Sequence, residues 1–274
     1  GRLLTPGLID LHTHGLGHGH FSRSGEWAEA SRFAAALGVT SLYPTLVPQP
    51  GPNLLASLVE ASAALDQAAC CRFRGLHLEG PFVALPGAAC AAIPGDRGLL
   101  DEMLAACAGR MAIMSVSPDT PGILPVIERL AERGVVPFIT HTRATAGQTQ
   151  AAIAAGARHA THFYDLFVDP PAVEPGVRPV GALEAILADP RTTVDFIADG
   201  CHVAPLAIQA WTRALGWERV LLITDSNVGA GLPPGVYDTP WGYPVRVRPG
   251  DGARIAAGAN AGALAGSALT LREA

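Results

Sequence analysis

Charge is scarce in this chain of 274 residues: Asp, Glu, Lys and Arg make up 16% of it, against 49% hydrophobic residues. That balance leaves ample material for a sizeable core. The net charge is −5 and the basic residues are scattered, which argues against a nucleic-acid-binding surface. No run of about 18 uninterrupted apolar residues exists, so no helical membrane span is expected. The first residues lack the basic, apolar and small-residue parts of a signal peptide. Cysteine is sparse as well. Cys70, Cys71, Cys90, Cys107 and Cys201 form an odd set without metal-type spacing, and they read as reduced thiols of a cytosolic protein. Also missing are an interdomain linker, a low-complexity tract and a Gly-x-Gly-x-x-Gly turn after the first strand, the mark of an open dinucleotide-binding sheet.

What is present is alternation. Apolar runs at 8–12, 39–47, 73–79, 111–116, 135–141, 159–163, 192–198 and 220–225 read as strands. Between them, helical periodicity covers 26–37, 53–69, 98–108, 122–133, 146–155, 181–188 and 205–215. Gly38, Gly134, Gly156 and Gly216 stand where left-handed helix caps are wanted. Eight strands alternating with helices in a chain of this length predict a (β/α)8 barrel as one domain, residues 1–274. A short β-hairpin is expected after strand 8, from 242–247 and 253–256 around Pro249-Gly250-Asp251-Gly252. Only seven crossover helices are visible, which leaves one barrel seam uncovered. The chain reads as a fragment trimmed at both ends.

Barrel chemistry sits at the C-terminal ends of strands, and those ends carry metal-ligand residue types. The first apolar run leads into His12 and His14, which as i and i+2 on a strand share a face. A bare His-x-His equally arises as two exposed loop histidines, so the other strand ends decide. Strand 3 ends in Glu79, a carboxylate costly to bury without a partner. Strand 5 ends in His141, strand 6 in His162 and strand 8 in Asp225. Each alone reads as a cap or a packed histidine; together they predict a metal centre. A divalent ion there lowers the pKa of water to about 7, and Asp225 is the candidate general acid/base. His77 and His159 are expected to be structural, His18 and His20 to be exposed loop residues, and Cys201 to be no nucleophile.

Residues 6–15, 75–82, 160–164, 197–203, 222–226 and 264–270, with His141, resemble the amidohydrolase superfamily and within it the N-acetylglucosamine-6-phosphate deacetylase family. The motifs stand in the family's order over nearly the whole chain. The resemblance implies deacetylation by a metal-activated water, with Glu79, His141 and His162 on one divalent metal, usually zinc. It implies that His12 and His14 can hold a second, with Glu79 bridging, and that Asp225 is both base and ligand. It further implies a homodimer, an amino-sugar substrate, and substrate contacts from Ala88, Asp165, Leu166, His202, Leu264, Gly266 and Ser267. The family's small β-sandwich domain is largely missing, with 240–260 as its expected remnant.

The pattern departs from the family where phosphate is bound. The family's Arg before Glu-Pro-Gly is Val173 here, and its Tyr-Asn-Ala-Met segment reads Tyr164-Asp165-Leu166-Phe167. Both changes act against an anion, and Arg178 or Arg143 would have to compensate. The reaction is therefore expected to carry over better than the substrate, whose distal group need not be phosphorylated. The rivals are another amidohydrolase reaction, on a cyclic amide or an N-acyl amino acid, and an inactive metal-binding paralogue.

Overall fold

The apolar runs become eight parallel strands arranged in sequence order around a nearly closed barrel, in a computed structural model that describes residues 4–87 and 89–274. They are β1 Leu8–Thr13, β2 Val39–Leu46, β3 Leu76–Glu79, β4 Met111–Val116, β5 Val136–Ile139, β6 His159–Ala160, β7 Thr193–Ile197 and β8 Val220–Ile223. The helices between them are α1 Trp27–Ala36, α2 Leu54–Ala64, α3 Arg97–Ala106, α4 Ile123–Glu132, α5 Ala146–Ala155, α6 Ala182–Ala188 and α7 Pro205–Leu215. The barrel closes where the Asp225 amide donates to the His12 carbonyl (2.9 Å) and the His14 amide to that of Ser226 (2.9 Å). A buried carboxylate reinforces the closure, since Asp10 on β1 accepts from the Thr224 hydroxyl at 2.7 Å. Burial pushes Asp10 up to about 6 despite those Thr224 hydrogen bonds.

Local chemistry sets the helix ends. Asp96 caps α3 by accepting from the Gly98 and Leu99 amides, and Thr145 with Gln148 forms a capping box on α5. Gly38, Gly134, Gly156 and Gly216 all have positive φ at helix C-termini, as their spacing predicts. On α4, Ile123, Val126, Ile127 and Leu130 are buried at helical spacing and join Leu76, Leu78, Met114 and Phe196 in the main core. No helix follows β8 among the described residues. Ile9 on β1 is 56% exposed and Leu222 on β8 is 38% exposed, so no helix covers the outside of that seam among the described residues.

The structure corrects three boundaries. The strand expected at 159–163 stops at Ala160, because His162 turns to φ 36° and the Phe163 amide bonds the Asp195 carbonyl. The run at 73–79 divides at Gly75 (φ 137°) into Arg72–Phe73, paired with β2, and β3. Gly75 lies against the next strand, where an added Cβ would come within 2.7 Å of the Ala112 Cβ. The expected hairpin is instead a three-stranded antiparallel sheet, β9 Gly235–Asp238, β10 Pro244–Arg248 and β11 Gly252–Ile255, with a small core of Val245, Ile255 and Ala265.

Candidate metal centre and substrate cavity

Glu79 ends β3 at the middle of the barrel mouth, and its two oxygens face different histidine pairs. Oε1 lies 3.1 Å from Nε2 of both His141 and His162. Oε2 lies 3.7 Å from His12 Nε2 and 3.3 Å from His14 Nε2. Asp225 Oδ1 lies 3.4 and 3.1 Å from those same two nitrogens. Two ligand groups result, His12–His14–Glu79 and Glu79–His141–His162, all buried. Two donors on an ion bound tetrahedrally at about 2.0 Å stand about 3.3 Å apart, so the separations here fit a cation between them.

The outward ring nitrogens show which atoms are free to bind. His14 Nδ1 donates to the Thr45 carbonyl (3.2 Å) and His141 Nδ1 to the Leu85 carbonyl (3.0 Å). A carbonyl only accepts, so each Nδ1 carries a proton and each Nε2 is the nitrogen turned toward the ligand cluster. His12 Nδ1 meets Thr161 Oγ1 at 3.0 Å, and that hydroxyl donates to Asp195 at 3.0 Å. Asp195 is wholly buried and also accepts from the His162 amide and faces His159 Nε2 at 2.8 Å. One carboxylate thus steadies a ligand from β1 and a ligand after β6. Asp225 Oδ1 has no hydrogen-bond partner among the described residues, as suits an atom reserved for a cation or a water.

Three of these residues sit on strained backbone. His141, His162 and Asp225 have φ of 46°, 36° and 47°, a left-handed conformation that costs a non-glycine residue about 1–3 kcal/mol. The turn ends each strand and aims its side chain across the barrel mouth. Gly87 allows the close packing above them, since a Cβ there would lie 2.5 Å from His141 Cε1. Electrostatics binds the cluster together. Burial pushes Glu79 up, but His12, His14 and His141 outweigh it and hold the carboxylate well below its usual range. Burial likewise disfavours charge on His14, yet the Asp225 and Glu79 carboxylates beside it raise it to about 10. His162 rises to about 10 against its own burial, through Glu79.

Above the cluster lies a cavity of about 350 Å³, walled by His14, Val47, Cys90, Asp165, Leu166, His202, Trp241, Ile255, Asn260 and Leu264 among others. His202 donates from Nδ1 to Asp199 Oδ2 at 2.8 Å, which orients the ring. Burial lowers the pKa of His202, but Asp199 more than restores it and raises it above the ordinary value.

No protein-family model matches the chain. The N-acetylglucosamine-6-phosphate deacetylase of Bacillus subtilis is 31% identical over 99% of the chain and 68% of its own length. The N-acetylgalactosamine-6-phosphate deacetylase of Escherichia coli O157:H7 is 31% identical over 98% and 70%. A mutant N-acetyl-D-glucosamine-6-phosphate deacetylase of Mycobacterium smegmatis, solved with N-acetyl-D-glucosamine-6-phosphate, superposes with a TM-score of 0.82 at 33% identity, over 97% of this chain and 68% of that one. The chain belongs to the N-acetylglucosamine-6-phosphate deacetylase family.

As a family member, the chain brings His12, His14, Glu79, His141, His162 and Asp225 to one buried cluster. Asp165, Leu166, His202, Leu264 and Gly266 line its cavity. Ser267 does not line it: it is fully buried behind Asp225, donating its amide to the Asp225 carbonyl (2.7 Å) and its hydroxyl to that of Thr224 (2.6 Å). Ala88 lies outside the described residues. His20, expected to be exposed, is 1% exposed. A two-rung ribbon, Gly15–Leu16 against Gly19–His20, folds it under the turn that carries Trp241. His18 is exposed, and His77 is packed between the Leu11 carbonyl (2.9 Å) and Ser115 Oγ (2.7 Å). Cys201 stays out of the cavity, its thiol on the Gly250 carbonyl at 3.5 Å, and all five cysteines are unpaired. Sequence reasoning misses Trp241, Asp195 and Thr161. An aromatic residue in a turn, and polar residues inside apolar runs, show their partners only after folding.

Proposed function

We propose that the protein hydrolyses the N-acetyl amide of an amino sugar, with a divalent metal, zinc by preference, held by Glu79, His141 and His162 and a second ion held by His12 and His14. The observation that carries this reading is Glu79 presenting one oxygen to each histidine pair, with Asp225 Oδ1 3.1 Å from His14 Nε2. A bound divalent ion supplies Lewis acidity toward the amide carbonyl and lowers the pKa of water to about 7. The chain does the rest. Asp225 takes the proton from the attacking water and delivers it to the departing nitrogen, which amide cleavage requires. His202, fixed by Asp199, holds the sugar side of the cavity, with Asp165, Leu166, Leu264 and Gly266 as further contacts. Ala88 is included in that contact set by family resemblance, whereas Ser267 acts through the backbone of Asp225.

A second reading concerns the distal group, and the cavity wall favours it. No Arg or Lys lines the cavity among the described residues, while Asp165 does. Val173 is 97% exposed, and Arg178 is engaged with Asp169 (3.8 Å) and Glu184 (3.3 Å). A phosphate dianion there would meet a carboxylate and no guanidinium, so an unphosphorylated N-acetyl amino sugar is the better fit. We further infer one barrel domain over residues 1–274 carrying β9–β11, a homodimer, and a cytoplasmic site of action suited to five free thiols.

The test is acetate release from N-acetylglucosamine and its 6-phosphate by zinc-loaded protein, with Asp225→Asn as control. Release that the control abolishes supports the reading, and the ratio of the two substrates decides the distal group. Stoichiometric metal without release from either would move the assignment to a cyclic amide, an N-acyl amino acid or an inactive paralogue.

A further inference from the structure

A second cavity, of about 270 Å³, lies beside the first and shares two wall residues with it, Val47 and Trp241. Its floor is apolar, built from Phe21, Trp27, Leu46, Leu54 and Leu58, and its rim carries Ser22, Gln49, Asn53 and Ser57. Trp241 is the partition. Its indole stands edge-to-face on His14 at 4.9 Å and on His20 at 5.1 Å, so two ring contacts hold it in place. The turn beneath it is pinned, with the Trp241 amide donating to Thr239 Oγ1 (3.3 Å) and that hydroxyl donating to the Tyr243 carbonyl (2.6 Å). His20 Nδ1 accepts from the Ser22 amide at 3.0 Å, so its proton sits on Nε2, which has no hydrogen-bond partner among the described residues.

We propose that Trp241 sets the acyl-chain length of the substrate, restricting it to acetyl by closing the metal centre off from the apolar cavity behind. The inference rests on the deacetylase reading above. The amide carbon must sit at the cluster, so the acyl group and the amine leave it in different directions. Asp165 and His202 follow β6 and β7, on the side of His162, and offer polar contacts to the amine-bearing sugar. Trp241 and Val47 stand on the side of His14, where the wall is apolar and suits a methyl group. An acyl chain longer by two methylenes collides with the indole, and the apolar space it needs lies directly beyond. The reaction itself is unchanged: the C–N bond breaks, the acyl carbon takes the water oxygen, and the nitrogen takes the proton.

The experiment is kcat/KM across N-acetyl, N-propionyl, N-butyryl and N-hexanoyl glucosamine, free and as 6-phosphates, on zinc-loaded protein. The unmodified protein is expected to lose at least about tenfold from acetyl to butyryl. Trp241→Ala, and more mildly Trp241→Leu, should bring butyryl and hexanoyl to within about threefold of acetyl. Adding Leu58→Trp to Trp241→Ala refills the second cavity and should take away the hexanoyl gain alone. A flat acyl profile in the unmodified protein overturns the proposal, and so does a Trp241 variant that releases acetate yet gains no butyryl activity. Failure of the unmodified protein to release acetate from any member sinks the deacetylase reading and this inference with it.

Discussion

The two ends of the active cavity are built differently. At the barrel end two histidine pairs straddle Glu79, the outer nitrogens of His14 and His141 face carbonyls and that of His12 faces Thr161, and Asp195 locks the layer beneath. At the outer end Leu166, Ile255, Leu264 and Trp241 supply apolar surface from loops, and Asp165 and His202 are the charged-type groups there. On the proposed reading, hydrolysis depends on the barrel end and substrate choice on the other. The outer wall comes from loops, which can change while the strand ends that carry the cluster stay.

The sharpest way to break that contrast is at its hinge. Glu79→Gln removes the carboxylate common to both ligand groups. It should abolish binding of both ions and lower kcat by on the order of a thousandfold or more, read by metal analysis beside initial rates. Asp225→Asn should lower kcat by about 100- to 10,000-fold while the His141–His162 ion stays bound. Equal loss of metal would make Asp225 a ligand only. One layer down, Asp195→Asn touches no substrate. It should weaken metal affinity by about 10- to 100-fold, measured by chelator competition, with activity recovered at high metal. At the outer end, Asp165→Asn should shift the ratio of kcat/KM toward the 6-phosphate by roughly three- to tenfold and leave metal content alone.

The smallest effect is in pH. Asp199 is held below 3.8 because His202 outweighs its burial, and His202 is raised above 6.5 because Asp199 outweighs its burial. The raised His202 stabilises the fold fully below pH 6.5 and ceases to as pH rises through its folded value. The lowered Asp199 stabilises it above pH 3.8 and ceases to as pH falls through its folded value. The melting-temperature loss on Asp199→Asn should therefore be greatest between about pH 4 and 6.5 and shrink on either side. A loss independent of pH would mean that Asp199 matters for its backbone bonds to Cys201 and His202 (2.8 and 2.9 Å) instead.

Alternation of apolar runs with helical periods was enough for the barrel, because the 2.0 and 3.6 periods are local properties of the chain. The gathering of His12, His14, Glu79, His141, His162 and Asp225 was legible for a related reason: a ligand-type residue after a buried run sits at a strand end, and parallel strands bring all such ends to one mouth. Boundaries were less legible. β6 shrank to His159–Ala160 because His162 takes a left-handed φ that nothing in residues 159–163 announces. The rest was decided by tertiary structure alone. Asp195 reads as an interruption of an apolar run until β6 and β7 lie side by side and place it under Thr161 and His162. Ser267 reads as a cavity residue until packing turns it behind Asp225. His20 reads as an exposed loop residue until a ribbon and a turn more than 200 positions apart set Trp241 edge-on to both His20 and His14. Residue type and spacing determine which groups can reach the barrel mouth. Contacts between segments remote in sequence decide which wall each one forms, because side-chain partners there are set by packing rather than by chain order.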